Sequence, residues 1–246
     1  MKILAIDTSG KQAGAAIMDE YITIGEILIN AQSGPKTWHH SEILMPGIKR
    51  LFTLSGLSLA HMDYVAYTSG PGSFTGIRIG AATALGLARS INRPAIGVPT
   101  LDALAYNMLY IDKGNLILPL MDARRSQVYG AIYRKEESGE LTRLTEHFAT
   151  SIEEALQKAI DLCRESNMSL GVSHETPIFL GDGADANKAA IQAQYPRARF
   201  APINANRQRP ASVALCAINQ LKTTQPPETV NLIYVRDPQA VRNKKS

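Results

Sequence analysis

The chain has 246 residues, of which 45% are apolar and 20% charged, with 18 glycines and 13 prolines. This composition is typical of a packed globular protein and excludes a disordered or fibrous chain, and the length suffices for one large domain or two of ordinary size. The net charge is +4, and part of the excess lies in the basic residues Arg236, Arg242, Lys244 and Lys245. Such a basic tail either contacts RNA phosphates or stays solvated, and the sequence leaves both open.

The sequence contains no run of about 20 apolar residues, and its first residues lack the pattern of a secretory signal. Two cysteines occur, Cys163 and Cys216, both within apolar stretches that resemble helices. Cysteines without histidines at ligand spacing are typical of buried thiols in a reducing compartment. We therefore expect a cytoplasmic protein without a membrane-spanning segment.

In chain order, the first predicted element is a buried strand, KILAID, followed by the strand-like stretch GAAIMDEYITIGEILIN. The segment HHSEILMPGIKRLFTLSG then places apolar residues at helical spacing, namely Ile43, Leu44, Ile48 and Leu51. We expect this helix to end at Gly56 and to bend at Pro46, which lacks a backbone donor. The strand MDYVAYTSG and the helix IRIGAATALGLARSI follow, so strands and helices alternate.

The order of elements restarts near residue 117. Aligning ILAIDTSGKQAGAAI with LPLMDARRSQVYGAIY at an offset of 115 residues pairs Asp7 with Asp122, Gln12 with Gln127, Ala16 with Ala131 and Ile17 with Ile132. Further on, PIFLGDGADANKAAI gives a strand, a turn at Gly181 and Gly183, and a helix, as YVAYTSGPGSFTGIRIG does earlier. An internal duplication explains the match, and two α/β domains of separate ancestry are the alternative.

These features predict an α/β protein of two duplicated halves, residues 1–112 and 113–246, each with a mixed sheet flanked by helices. Halves that open with an apolar strand ending in Asp describe the actin, Hsp70 and sugar-kinase architecture, which is RNase H-like. In that superfamily a nucleotide lies between the halves, so Asp7 and Asp122 are weak candidates for nucleotide binding. The glycine-rich phosphate turns of those kinases are replaced here by KQA and RRSQ, so no cofactor-binding residue is firmly predicted.

The stretch SGPGSFTGIRIG at residues 69–80 raises the question of whether its glycines hold a phosphate or let two backbones meet. Its spacing, GxGxxxG, is one residue too long for a dinucleotide-binding turn, and it lacks the Gly-Lys-Ser/Thr of a phosphate-binding loop. Small residues recur every four positions along the following helix, at Gly76, Gly80, Ala84 and Ala88. This stripe allows close packing, either on the protein's own sheet or on a helix of another chain.

The segment SGPGSFTGIRIGAATALGLA, together with AIDTS, HSEILMPGIKRLF, MDARRSQVYGAIY, GDGA and IYVR, closely resembles the bacterial TsaB family. The resemblance runs from Lys2 to about Arg236, and its most specific part is GPGSFTG with the small-residue helix that follows. Members of that family are subunits of the complex that makes threonylcarbamoyladenosine next to the anticodon of tRNAs reading codons that begin with A. The resemblance thus implies a role in tRNA modification.

The family is a paralogue of the catalytic subunit TsaD, which carries a metal through two histidines spaced HxxxH. The matching segment here is VPTLDALAY, which places Thr100 and Leu104 at the histidine positions. Neither side chain suits a metal that prefers imidazole. The resemblance therefore implies an accessory subunit with no catalytic residues and no metal of its own, and it places ATP or ADP and the metal on partner subunits.

The resemblance also implies that the helix around Ile43 to Phe52 and the helix from Ile77 to Ala88 pair with the same helices of TsaD. The expected contact residues are Ile43, Leu44, Ile48, Leu51, Gly76, Gly80, Ala84 and Ala88. Without TsaD, the same surface is expected to form a two-fold homodimer. TsaE and tRNA are further expected partners, and a small-molecule kinase or ATPase of the actin-like fold is the alternative function.

Overall fold

A computed structural model describes residues 1–20, 22–30, 39–112, 115–170, 177–223 and 231–235. The basic residues of the predicted tail, Arg236, Arg242, Lys244 and Lys245, lie outside the described residues. Among the helices in the described ranges, none combines the length and the hydropathy of a membrane span.

The first part of the chain forms strands β1 (Lys2–Asp7), β2 (Gln12–Asp19) and β3 (Thr23–Asn30), helix α1 (His40–Ser55), strand β4 (Tyr64–Gly70), helix α2 (Phe74–Ser90), strand β5 (Ala95–Pro99) and helix α3 (Thr100–Tyr106). The elements that follow are β6 (Leu116–Asp122), β7 (Val128–Gly130), β8 (Tyr133–Lys135), β9 (Leu141–Arg143), β10 (Phe148–Thr150), α4 (Ile152–Leu170), β11 (Ile178–Leu180), α5 (Asp182–Ala186), α6 (Lys188–Gln194), β12 (Arg199–Phe200) and α7 (Pro210–Leu221). The predicted end of α1 at Gly56 is confirmed, since this residue has a left-handed φ of 67° that suits glycine.

The described residues form two compact units, the first from those in Met1–Ala103 and from Gln208 to 235, the second from those in Leu104–Arg207. This division differs from the predicted halves, 1–112 and 113–246, in the placement of α7, which packs on β1, β2, β4 and β5 of the first unit. The physical reason is burial. The fully buried residues Ile3 and Ala5 alternate with Leu4 and Ile6 along β1, so both faces of the sheet need an apolar cover.

The sheet of the first unit has the strand order β3-β2-β1-β4-β5. Strand β1 pairs antiparallel with β2 and parallel with β4, and β4 pairs parallel with β5. One face packs against α1 and α2 through a core that includes Leu4, Ile6, Val65 and Tyr67. Because β1 ends at Asp7, the residues that follow it lie at the carboxyl edge of the parallel strands.

The sheet of the second unit repeats this plan, with the strand order β10-β7-β6-β11-β12 and the β8–β9 hairpin joined to β6. Its central strand, β6, pairs antiparallel with β7 and parallel with β11. Asp122 ends β6 as Asp7 ends β1. In both residues Oδ1 accepts a hydrogen bond from the backbone N–H of the residue two positions later in the sequence. The predicted fold class of two duplicated α/β halves is thus confirmed.

Candidate functional site

The small-residue stripe of α2 packs on the end of β1 in its own unit. A Cβ atom at Gly76 would overlap the carbonyl oxygen of Thr8, and one at Gly80 would overlap the Thr8 hydroxyl. That hydroxyl donates a hydrogen bond of 2.7 Å to the carbonyl oxygen of Gly76. Ala84 and Ala88, further along the stripe, are buried in the core of the same unit. Of the two alternatives for the stripe, the protein's own sheet is therefore the one observed.

The expected partner-contact residues lie inside the fold, and the expected contact set is corrected accordingly. On α1, the residues Ile43, Leu44, Ile48 and Leu51 are each at most 8% exposed. They join the stripe residues Gly76, Gly80, Ala84 and Ala88 in packing within the chain. Apolar spacing identified the buried sides of both helices, because a helix turns its apolar stripe toward its own core first. Pairing through α1 and α2 would use their other sides.

Those other sides of α1 and α2 are exposed. On α1, the side chains of Met45 and Leu54 are 47% and 67% exposed. On α2, Ala82 is exposed, and a Cβ atom at Gly86 would meet no other atom within 4 Å. We call Met45, Ala82 and Gly86 the outer face of the α1 and α2 helices, which contact each other; Leu54 lies nine residues from Met45, about half a turn away, and so belongs to the opposite flank of α1. Exposed apolar side chains on helices with small residues form a surface that another helix can approach closely.

The positions that match the TsaD histidines contain no suitable metal ligand. Thr100 begins α3 and Leu104 follows one turn later, and both are fully buried. Leu104 offers only methyl groups, and a lone threonine hydroxyl is a poor ligand for a transition metal. Within the described ranges, no group of three or more His, Cys, Asp or Glu side chains could hold a metal ion. The donors present therefore do not fit the metal of the catalytic paralogue.

Asp7 is a buried acid at the carboxyl end of β1. Its Oδ1 accepts hydrogen bonds from the backbone N–H and the hydroxyl of Ser9, at 2.8 and 2.7 Å. Its Oδ2 is buried and has no hydrogen-bond partner among the described residues. Burial raises the pKa of this carboxyl to about 6, and the negative charge of Glu26 contributes to the rise. The site thus disfavours negative charge, which opposes phosphate binding beside Asp7 unless a cation accompanies the phosphate.

Asp122, the corresponding residue of the second unit, is exposed. Its Oδ1 accepts the backbone N–H of Arg124 at 2.7 Å, and its own N–H donates to Oδ1 of Asp182 at 3.0 Å. The RRSQ turn that replaces the kinase phosphate turn has left-handed backbone at Arg124, Arg125 and Ser126. The Arg124 backbone N–H thus already donates a hydrogen bond to a carboxylate and is not free to bind a phosphate.

A cluster at the start of α2 was not predicted from the sequence. The ring centroids of Phe74 and Tyr234 lie 5.4 Å apart. The guanidinium carbon of Arg78 lies 3.7 Å from the Phe74 ring centroid, and its Nε donates to the Tyr234 hydroxyl at 3.1 Å. Phe74 and Tyr234 both occur in the quoted family motifs, but they are 160 residues apart in the sequence. No periodicity pairs residues at that separation.

Comparisons with known sequences agree with the motifs. A sequence model of the family described as "TsaD: tRNA N6-adenosine threonylcarbamoyltransferase" matches residues 35–243. The tRNA threonylcarbamoyladenosine biosynthesis protein TsaB of Escherichia coli (strain K12) is 36% identical over 139 residues, which are 56% of this chain and 58% of that protein. The match thus spans a little over half the length of this relative.

Comparisons with solved structures agree with the fold. YeaZ from Pseudomonas aeruginosa superposes with a TM-score of 0.70 at 20% identity, covering 95% of this chain and 99% of that chain. The ROK hexokinase from Thermus thermophilus superposes with a TM-score of 0.51 at 13% identity, covering 91% of this chain and 100% of that chain. These likenesses show a fold shared with sugar kinases. Given the family match over most of its length, the chain belongs to the TsaD family, and it is similar over about half its length to the TsaB proteins of tRNA threonylcarbamoyladenosine biosynthesis.

Proposed function

We propose that this chain is a non-catalytic subunit of the machinery that makes threonylcarbamoyladenosine in tRNA. The observation that carries the proposal is the pair Thr100 and Leu104, both fully buried, at the positions of the TsaD metal ligands. A member of this family that lacks those ligands but keeps the fold can serve the reaction by binding the subunit that has them. The chain thus binds and activates TsaD and works with TsaE, while tRNA, ATP or ADP and the metal are bound on the partners. Because the substrate is tRNA, we place it in the cytoplasm.

The outer face, Met45, Ala82 and Gly86, is the proposed TsaD-binding surface. Its support is the exposure of a large apolar side chain, Met45, on α1 next to a helix with small exposed residues. Burying Met45 against a partner removes apolar area from water, which favours association. In the absence of TsaD, the same face pairs two copies of the chain about a two-fold axis, because an isologous contact buries both copies' apolar side chains together.

Reconstitution of the transfer reaction tests the proposed function. The purified chain is titrated into TsaD, TsaE, ATP, unmodified tRNA and the threonylcarbamoyl donor, and the modified adenosine is measured in the tRNA. We expect modification to depend on the chain and to saturate when chain and TsaD are equimolar. Equal modification with the chain omitted would refute the proposal.

Two variants that each replace an alanine by glutamate test the proposed surface. Ala82→Glu places a charge on the outer face, whereas Ala190→Glu places the same charge on an exposed position of α6 in the second unit. Burying an unpaired carboxylate in an interface costs several kcal/mol, so we expect Ala82→Glu to weaken TsaD binding by at least tenfold. Ala190→Glu serves as the matched control and is expected to bind as the parent does. Equal affinities for both variants would place the interface elsewhere.

A small-molecule kinase or ATPase remains the second candidate, favoured by one observation at the edge of the first sheet. Asp7 Oδ2, at the end of β1, lacks a hydrogen-bond partner among the described residues. Three other buried atoms in those residues also lack one, namely Gln12 Oε1, Thr100 Oγ1 and Gln208 Nε2. Buried polar atoms without a partner keep hydrogen-bonding capacity for a bound polar group. Calorimetric titration of the isolated chain with Mg-ATP discriminates: micromolar binding would favour the kinase, and no binding would favour the accessory subunit.

A further inference from the structure

The cluster of Phe74, Arg78 and Tyr234 has the geometry of a stacking surface. The guanidinium carbon of Arg78 lies 3.7 Å from the ring centroid of Phe74 and 5.8 Å from that of Tyr234. Phe74 and Tyr234 are 37% and 41% exposed, although both are large aromatic residues, and Arg78 is exposed as well. The guanidinium group therefore lies over the Phe74 ring, and all three side chains of the cluster remain accessible to solvent.

Backbone contacts fix both parts of the cluster. Phe74 and Arg78 lie one turn apart on α2, whose start is capped by the Ser73 hydroxyl accepting the Gly76 N–H at 3.2 Å. The segment that carries Tyr234 is held by a hydrogen bond of 2.7 Å from the N–H of the preceding residue to the Ser69 carbonyl oxygen. A surface that is ordered before binding loses little conformational entropy when a ligand arrives.

The charge of Arg78 is available to a ligand. Its side chain donates through Nε to the Tyr234 hydroxyl, and no carboxylate within the described ranges forms an ion pair with it. The terminal nitrogens of a guanidinium bind phosphate oxygens in pairs, and its plane stacks on aromatic rings. Bases of single-stranded nucleic acids stack on such aromatic and arginine planes, while their phosphates are held by the positive charge.

We propose that the cluster of Phe74, Arg78 and Tyr234 binds an unpaired base of an RNA strand together with the adjacent phosphate. RNA fits better than a protein partner because the guanidinium already covers one face of Phe74, which leaves a planar cation rather than an apolar knob. The chain also carries a net charge of +4, and four basic residues follow Tyr234 in the sequence. The proposal rests on the proposed function only for the identity of the RNA as tRNA.

Binding of an unstructured, fluorescently labelled RNA of about a dozen nucleotides to the isolated full chain tests the inference by anisotropy. Arg78→Lys keeps the positive charge and removes the plane. Arg89→Lys, at an exposed position in the last turn of the same helix, is the matched control. We expect R78K to weaken RNA binding roughly tenfold with an unchanged salt dependence, because stacking on one base is worth about a decade of affinity. We expect R89K to bind as the parent does.

The alternatives give different results. If the parent does not bind RNA, or if R78K and R89K bind RNA with equal affinity, the inference is overturned. A loss of TsaD binding by R78K with intact RNA binding assigns the surface to a protein partner and also overturns it. Competition by AMP at concentrations similar to those of the RNA overturns it in favour of a mononucleotide site. If the parent chain does not stimulate TsaD but R78K still binds RNA more weakly than R89K, the inference is supported and the proposed function is refuted.

Discussion

Replacing the buried carboxylate of Asp7 by an amide should stabilise the protein at neutral pH. The Asp7→Asn variant keeps an oxygen that accepts the two hydrogen bonds from Ser9, but it carries no charge. In the parent, burial raises the pKa of Asp7 from 3.8 to about 6, and the nearby Glu26 adds negative charge. At pH 7.5 the parent must therefore hold a charged carboxylate whose Oδ2 lacks a partner among the described residues.

The sign and size of the effect follow from the two pKa values. The folded-state pKa lies above the unfolded value of 3.8, so between pH 3.8 and about 6 the folded state binds more protons than the unfolded state. The free energy of unfolding of the parent therefore falls as the pH rises through this window, and the loss is complete above it. A shift of about two units corresponds to about 3 kcal/mol, or roughly 6 to 12 °C in melting temperature for a chain of this size.

Urea unfolding of the parent and Asp7→Asn between pH 4 and 7.5 measures the difference. We expect the stability gap to be small at pH 4 and to grow with pH, and Asp112→Asn, at an exposed position, serves as the matched control. A gap that does not change with pH, or a variant less stable than the parent at pH 7.5, would contradict the reasoning. If Mg²⁺ stabilises the parent but not the variant, the carboxylate holds a cation and its pKa is not raised in the loaded protein.

Other substitutions test the packing around α2 and α7. Gly86→Ala should raise the free energy of unfolding by about 0.5–1 kcal/mol, because Gly86 lies in an open part of a helix where a Cβ meets nothing. Gly80→Ala should lower the free energy of unfolding by about 1–3 kcal/mol, because the added Cβ overlaps a buried hydroxyl. Urea denaturation compares the two variants, and stabilisation by both would contradict the observed packing. Glu26→Ala removes the acceptor of the partly exposed Arg209 guanidinium and of a backbone N–H at the start of α7, and should cost about 1–3 kcal/mol in the same assay. A cost near zero would show that water replaces the carboxylate.

Much of the fold could be predicted from the sequence because its signals are local or repeated. The strand that ends in Asp recurs at Asp122, and the matched spacing behind it predicted the duplicated plan. The placement of α7 could not be predicted, since an apolar helix that follows the second unit packs equally well on either sheet as far as its own residues show. Only the folded chain shows that α7 covers the first sheet, because the central strands β1 and β6 are both buried on both faces.

The candidate site divides in a similar way. Spacing identified the eight small and apolar positions that share one side of α1 or α2, but spacing carries no information about what covers that side. The decisive group was the Thr8 hydroxyl, which lies against Gly80 and bonds the Gly76 carbonyl oxygen. The Phe74 and Tyr234 pair shows the same limit over a longer range, because only the folded chain brings those rings together.

The return of α7 to the first sheet also determines the order in which the chain can complete its folding during synthesis. The ribosome delivers the whole of Leu104–Arg207 before it delivers the helix that covers Ile3 and Ala5. At about 5–20 residues per second, this interval lasts roughly 5 to 20 s, during which the nascent first sheet has one bare apolar face. The second unit, although translated later, is the first whose core has all of its parts. Slow codons within residues 104–207 therefore lengthen the time for which the nascent chain depends on chaperones, and fast elongation through them protects it from aggregation.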